Sequence, residues 1–190
     1  MTHAAVAKPN RLVRSLKQLE TVPGFARGWA RNLVLRRAVP FTGTARLDFA
    51  VMTPERVEIG IANERRVQNH IKGVHAAAMT LLAETATGMV VGMNVRDDCL
   101  PLAKELKVAF KKRAQGSLRA VATLTDAQCA LMQQTDKGEV TVPVQVSDES
   151  GAQPIECEFI WAWIPSGPRK TSETSADKPP AAEQAEAVLN

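Results

Sequence analysis

Tyrosine is missing altogether from this chain, and its aromatic residues amount to five Phe and three Trp. Cysteine is scarce as well. Cys99, Cys129 and Cys157 are odd in number and widely spaced, which suits neither a disulfide framework nor a zinc site. The expectation is a cytoplasmic protein with reduced thiols and no metal. Nowhere do apolar residues run on for the ~18 positions that a membrane-spanning helix needs. The opening MTHAAVAKPN lacks the basic region and apolar run of a secretory signal, and no internal repeat is visible. What is present is 190 residues at 45% hydrophobic and 23% charged, enough chain and apolar surface for one domain with a sizeable core.

The net charge of +4 is mild but unevenly placed. Eight basic residues (Lys8, Arg11, Arg14, Lys17, Arg27, Arg31, Arg36 and Arg37) face a single acid, Glu20, in the first stretch. Such a run suits nucleic acid or an anionic membrane surface. No aromatic interleaves its early basic positions as base stacking requires, so nucleic acid is disfavoured. Residues 1–39 read as a solvated basic helical arm with Leu12, Leu16 and Leu19 docked on the body, leaving weak membrane-surface contact as a secondary role. The last twenty residues, TSETSADKPPAAEQAEAVLN, hold four acids, one lysine and no aromatic. They cannot bury enough surface to offset chain entropy, so 166–190 is expected to be a disordered tail.

Residues 40–165 alternate between apolar and polar in a way that points to strands. Ala45, Leu47, Phe49 and Val51 oppose Arg46, Asp48 and Ala50; Val57, Ile59 and Ile61 follow after Thr53-Pro54-Glu55. Leu106, Val108 and Phe110 lead through Ala114-Gln115-Gly116-Ser117 to Leu118, Ala120, Ala122 and Leu124, which reads as a hairpin. Val140 to Val146 forms a fifth strand, with Pro143 marking an edge or a bulge. Ile155, Cys157, Phe159, Trp161 and Trp163 give a sixth. Between strands two and three, a helix from about Val74 to Met93 is apolar nearly all round and rich in alanine, hence buried with a sheet close against it. The expected fold is α+β, with an antiparallel sheet of about six strands wrapped around one long helix.

The middle of that helix carries a carboxylate, Glu84, flanked by Leu81, Leu82, Ala83 and Ala86. Desolvation in an apolar wall disfavours the charged form, so Glu84 is expected to have a raised pKa and to be a stronger base than a solvated Glu. The helix start offers unpaired N–H groups and the positive end of the helix dipole, which stabilise a developing oxyanion. Ala76, with Ala77 beside it, would donate there. Asn69 and His75 flank that start and would hydrogen-bond the ligand or shape the loop.

Asn69, His75 and Glu84, set in RRVQNHIKGVHAAA and LLAETATG, resemble the central motif of hotdog-fold acyl-CoA thioesterase-like proteins, the PaaI-like and DUF4442-type groups. The resemblance spans about Pro40 to Ile164. It implies a thioester hydrolase that uses Glu84 with Asn69, His75 and the Ala76 amide. It also implies acyl-CoA as substrate, with no cofactor beyond the coenzyme A it carries, and a homodimer or dimer of dimers. Two departures stand out. His75-Ala76-Ala77 replaces the usual His-Gly-Gly, and Pro101-Leu102-Ala103-Lys104 lacks the hydroxyl that relatives place near the third strand. They favour an alternative, a non-catalytic hotdog module that binds acyl-CoA or another lipid. Dehydratase signatures, Asp-x4-His or a Pro-Gly before the helix, are absent. Lys107, Lys111, Lys112 and Arg113, with Arg119 beyond the turn, form a basic strip expected to hold the coenzyme phosphates.

Overall fold

A computed structural model describes residues 9–167. The tail expected at 166–190 therefore lies almost wholly outside the described residues. Within the arm expected at 1–39 the described residues form two α-helices joined by a 3-10 turn, and a third short helix follows it. α1 (Arg11–Gln18) is capped by Asn10, whose Oδ1 accepts the Val13 N–H at 3.1 Å. Leu12, Val13 and Leu16 pack on the core, whereas Leu19 falls in a 3-10 turn over Leu19–Thr21 and is only half-buried. α2 (Gly24–Ala38) and α3 (Pro40–Ala45) follow. The alternation around Ala45 was expected to start a strand. Instead Arg46 takes a left-handed conformation (φ 55°) that ends α3 and turns the chain into the sheet.

The remaining elements run β1 (Asp48–Met52), β2 (Arg56–Ile61), α4 (Ala76–Asn94), β3 (Cys99–Phe110), β4 (Leu118–Thr123), α5 (Asp126–Gln134), β5 (Gly138–Val142), β6 (Val144–Asp148) and β7 (Ile155–Pro165). Two antiparallel sheets, β1-β2-β4-β6 and β3-β7-β5, enclose α4. Residues 138–148 pass from one sheet to the other, breaking at Pro143. Having no N–H to give, Pro143 interrupts the ladder, yet its carbonyl still accepts from Thr123 N–H at 3.2 Å. Pro143 thus marks a corner within the wrap. The expected hairpin of the third and fourth strands does not form. β3 pairs with β7, while β4 lies between β2 and β6. Alternation fixes which face a residue takes but not which strand its neighbour is.

α4 is long and apolar enough to cross a membrane by length and composition. Here it is the core helix, with Leu82, Ala83, Ala86, Val90 and Val91 fully buried against both sheets. Its approach to β7 depends on Gly88, where an added Cβ would meet the Trp161 ring at 2.7 Å. The Trp161 indole N–H donates to Thr87 Oγ1 at 3.0 Å, fixing that ring over the gap. α5 was not anticipated. Its Thr125–Gln128 capping box, in which each side chain bonds the other's backbone, is the local signal for it.

The two outer edges of the wrap differ. α2 closes the β1 edge with side chains: Arg36 Nε donates to Leu47 O, Arg31 Nη2 donates to Ala50 O, and Asn32 Oδ1 accepts from Phe49 N–H, each at 2.8 Å. β3, at the opposite edge, has β7 on one side and no strand on the other among the described residues. Leu100, Leu102, Leu106 and Phe110 along it are exposed.

Candidate active site

The loop before α4 is built by Asn69. Its Oδ1 accepts the N–H groups of Ile71 and Gly73, both at 3.1 Å, while its own backbone exchanges hydrogen bonds with Gly73 and Lys72. A short amide side chain bonding its own downstream backbone is what allows five residues to close on themselves. Lys72 takes the left-handed conformation that this closure requires (φ 61°). The loop is held to the body where Arg113 Nη2 donates to Ile71 O at 3.1 Å. Asn69 therefore positions the loop.

His75 is the N-cap of α4. Its backbone N–H donates to Val67 O at 2.7 Å, and its Nδ1 accepts the Ala77 N–H at 3.0 Å. This refines the expected oxyanion cradle, because the Ala77 amide is already occupied by the cap. Ala78 and Met79 amides turn back to His75 O. The Ala76 N–H is the first-turn donor left without a partner among the described residues. His75, Ala76 and Ala77 are all exposed, so this helix end faces outward.

Glu84 lies two turns further on, half-buried, between buried Ala83 and buried Thr85. Burial holds its pKa above the ordinary glutamate value, offset in part by a hydrogen bond from Thr85 Oγ1 at 3.4 Å. No basic side chain pairs with it among the described residues, so it is not half of a structural ion pair. Measured along the helix, Ala76 and Glu84 are separated by ~12 Å, which keeps the amide and the carboxylate of one chain apart. Thr85 was not anticipated as a partner; adjacency to the acid was its only signal.

The basic strip does not assemble. Lys107 Nζ is paired with both Glu105 and Glu158 at 3.1 Å, and Lys111 Nζ with Glu156 at 2.8 Å. Arg119 lies in the other sheet, where it and Arg56 clamp the buried Glu58 at 2.8 and 2.9 Å. Cross-strand carboxylates on β7 and β2, invisible to a one-dimensional reading, neutralise these cations. Of the five named positions, Arg113 is the one that hydrogen-bonds the Asn69–Gly73 loop.

Residues 28–164 match the family described as "Domain of unknown function (DUF4442)". The chain belongs to the DUF4442 family. No curated protein matches this DUF4442 chain. Among solved structures it is similar to a Pseudomonas aeruginosa protein of unknown function named a probable thioesterase, at 22% identity and a TM-score of 0.63, over 68% of this chain and 90% of that one. It is also similar to a Haemophilus influenzae thioesterase (10% identity, TM-score 0.55, 69% of this chain and 87% of that one). A Staphylococcus aureus thioesterase, solved as a Gln-to-Ala variant, matches at 15% identity and a TM-score of 0.56, over 67% of this chain and all of that one. At these identities the likeness is one of fold. This DUF4442 protein has the hotdog architecture of thioesterases.

Proposed function

We propose that this protein is an acyl-CoA thioesterase-like hydrolase that works as a homodimer. The observation carrying the reading is Glu84, a half-buried carboxylate with a raised pKa and no cationic partner, on the central helix of a hotdog fold. Leaving a carboxylate desolvated and unpaired costs stability, which a purely structural residue has no reason to incur. The Staphylococcus aureus thioesterase has been solved as alanine variants of a Gln and of a Glu that stand the same interval apart as Asn69 and Glu84. In the proposed reaction the thioester oxygen accepts from the Ala76 N–H, and Glu84 takes a proton from a water whose oxygen attacks the carbonyl carbon. Collapse of the tetrahedral intermediate breaks the C–S bond. Glu84 returns its proton to the leaving thiolate, releasing a free acid and coenzyme A. Arg113, beside the Asn69 loop, is the residue assigned to a coenzyme phosphate.

The ~12 Å between Ala76 and Glu84 calls for two chains. The unclosed β3 edge, with Leu102, Leu106 and Phe110 exposed, supplies the surface on which a second copy pairs. A two-fold arrangement then allows each site to take its helix start from one protomer and its carboxylate from the other.

One observation favours a second reading, a non-catalytic module that binds acyl-CoA or another lipid: His75 caps the Ala77 amide, leaving a single free donor at the helix start. A panel of acyl-CoA thioesters with free-thiol detection separates the two. Hydrolysis of at least one member, reduced about 10²–10⁴-fold in Glu84→Gln, is the expected result. Tight acyl-CoA binding with no thiol release from any member would establish the module instead.

A further inference from the structure

The exposed face of α2 is the least expected surface of the molecule. Phe25, Trp29 and Leu33, at four-residue intervals, are 94%, 69% and 42% exposed, and Val34, Val39 and Phe41 on the same two helices and their junction are exposed as well. Leu35 is the buried residue of α2, and Arg31, Asn32 and Arg36 reach the β1 backbone from beside the ridge, so the helix already has its contact with the body. Large aromatics standing out on a helix that already has its core contact mark a surface built for something else.

The charge around this ridge narrows the choice. Between Thr21 and Leu47 there are five arginines (Arg27, Arg31, Arg36, Arg37 and Arg46) and no acid. Trp29, Leu33, Arg36, Arg37 and Arg46 line a cavity of about 290 Å³ between α2 and α3. Arg36 is committed to Leu47 O and Arg46 O, and Arg46 reaches Glu64 only at 3.8 Å. Arg37 is exposed and has no carboxylate partner among the described residues. Aromatic and leucine side chains projecting beside the exposed guanidinium groups of Arg27, Arg37 and Arg46 match the two layers of an anionic bilayer surface, acyl-chain boundary and phosphate headgroup. A protein partner would need acidic groups placed against several of these arginines at once, whereas anionic headgroups are mobile and fit any spacing.

We infer that the α2–α3 face, through Phe25, Trp29, Leu33 and Phe41 with Arg27, Arg37 and Arg46, docks this protein on anionic lipid surfaces. This inference is independent of whether the chain hydrolyses thioesters. It is tested with the full chain by co-sedimentation with vesicles of phosphatidylcholine alone and of phosphatidylcholine with about a third phosphatidylglycerol. Binding is expected to the anionic vesicles only, and to weaken with added salt as screening requires. Trp161 and Trp163 are buried, so Trp29 reports directly: its emission should shift to the blue on anionic vesicles, and Trp29→Phe should abolish the shift while retaining binding. A Phe25→Ser/Trp29→Ser variant should lose about ten-fold or more in partitioning. Should that variant misfold, Arg27→Gln/Arg37→Gln carries the test, and its expected loss is confined to anionic vesicles. No binding to anionic vesicles, or equal binding to both compositions, overturns the inference. So does a fall in oligomer size with Phe25→Ser/Trp29→Ser in the absence of lipid, which would make this ridge an interface between copies.

Discussion

Glu84 titrates against the fold. Burial raises its folded-state pKa, so between the ordinary and the raised value the native protein keeps a proton that the unfolded chain has lost. Stability due to this group is highest below the ordinary glutamate range and falls as pH rises through the raised value. Glu84→Gln, nearly isosteric and permanently neutral, should melt higher than wild type at pH 8 and match it near pH 4. Thermal unfolding at both pH values decides this. A variant less stable than wild type at pH 8 would mean that the carboxylate is held by favourable contacts, and the argument for a functional acid would fall with it.

Gly88 sets the distance between α4 and β7. An alanine there gains intrinsic helix propensity of roughly 1 kcal/mol but drives its Cβ into the Trp161 ring, whose N–H is tied to Thr87. Overpacking of this kind costs about 1–3 kcal/mol. A net loss is therefore expected for Gly88→Ala, seen as a lower urea midpoint with an unchanged slope. A gain in stability would show that the Trp161 ring yields freely and that the wrap is looser than its geometry implies.

Assembly decides whether the site is complete. If each site takes Asn69 and the Ala76 amide from one protomer and Glu84 from the other, Asn69→Ala and Glu84→Gln are each nearly inactive alone. Refolded together, half of the dimers are hybrids with one intact site of two, so activity should return to about a quarter of wild type. No recovery, with subunit exchange confirmed by mass, would place the site within one chain or uncouple Asn69 from Glu84.

Local chemistry determined a good part of this protein. The apolar, alanine-rich run from Val74 fixed a buried helix, which in the structure spans Ala76–Asn94, because an all-round apolar helix has nowhere else to go. Period-two alternation fixed which residues of β1, β2, β4 and β7 face it, and type and interval singled out Asn69, His75 and Glu84 as candidates. Tertiary structure decided the rest. Strand partners, the corner at Pro143 and the closure of β1 by α2 side chains depend on contacts between distant segments, for which alternation carries no address. The same holds for charge. Lys107 and Lys111 read as free cations along the chain, yet Glu156 and Glu158 from β7 neutralise them across the sheet. The exposed Phe25–Trp29–Leu33 ridge followed the same rule, since only packing could reveal that Leu35 had already taken the inward place on α2.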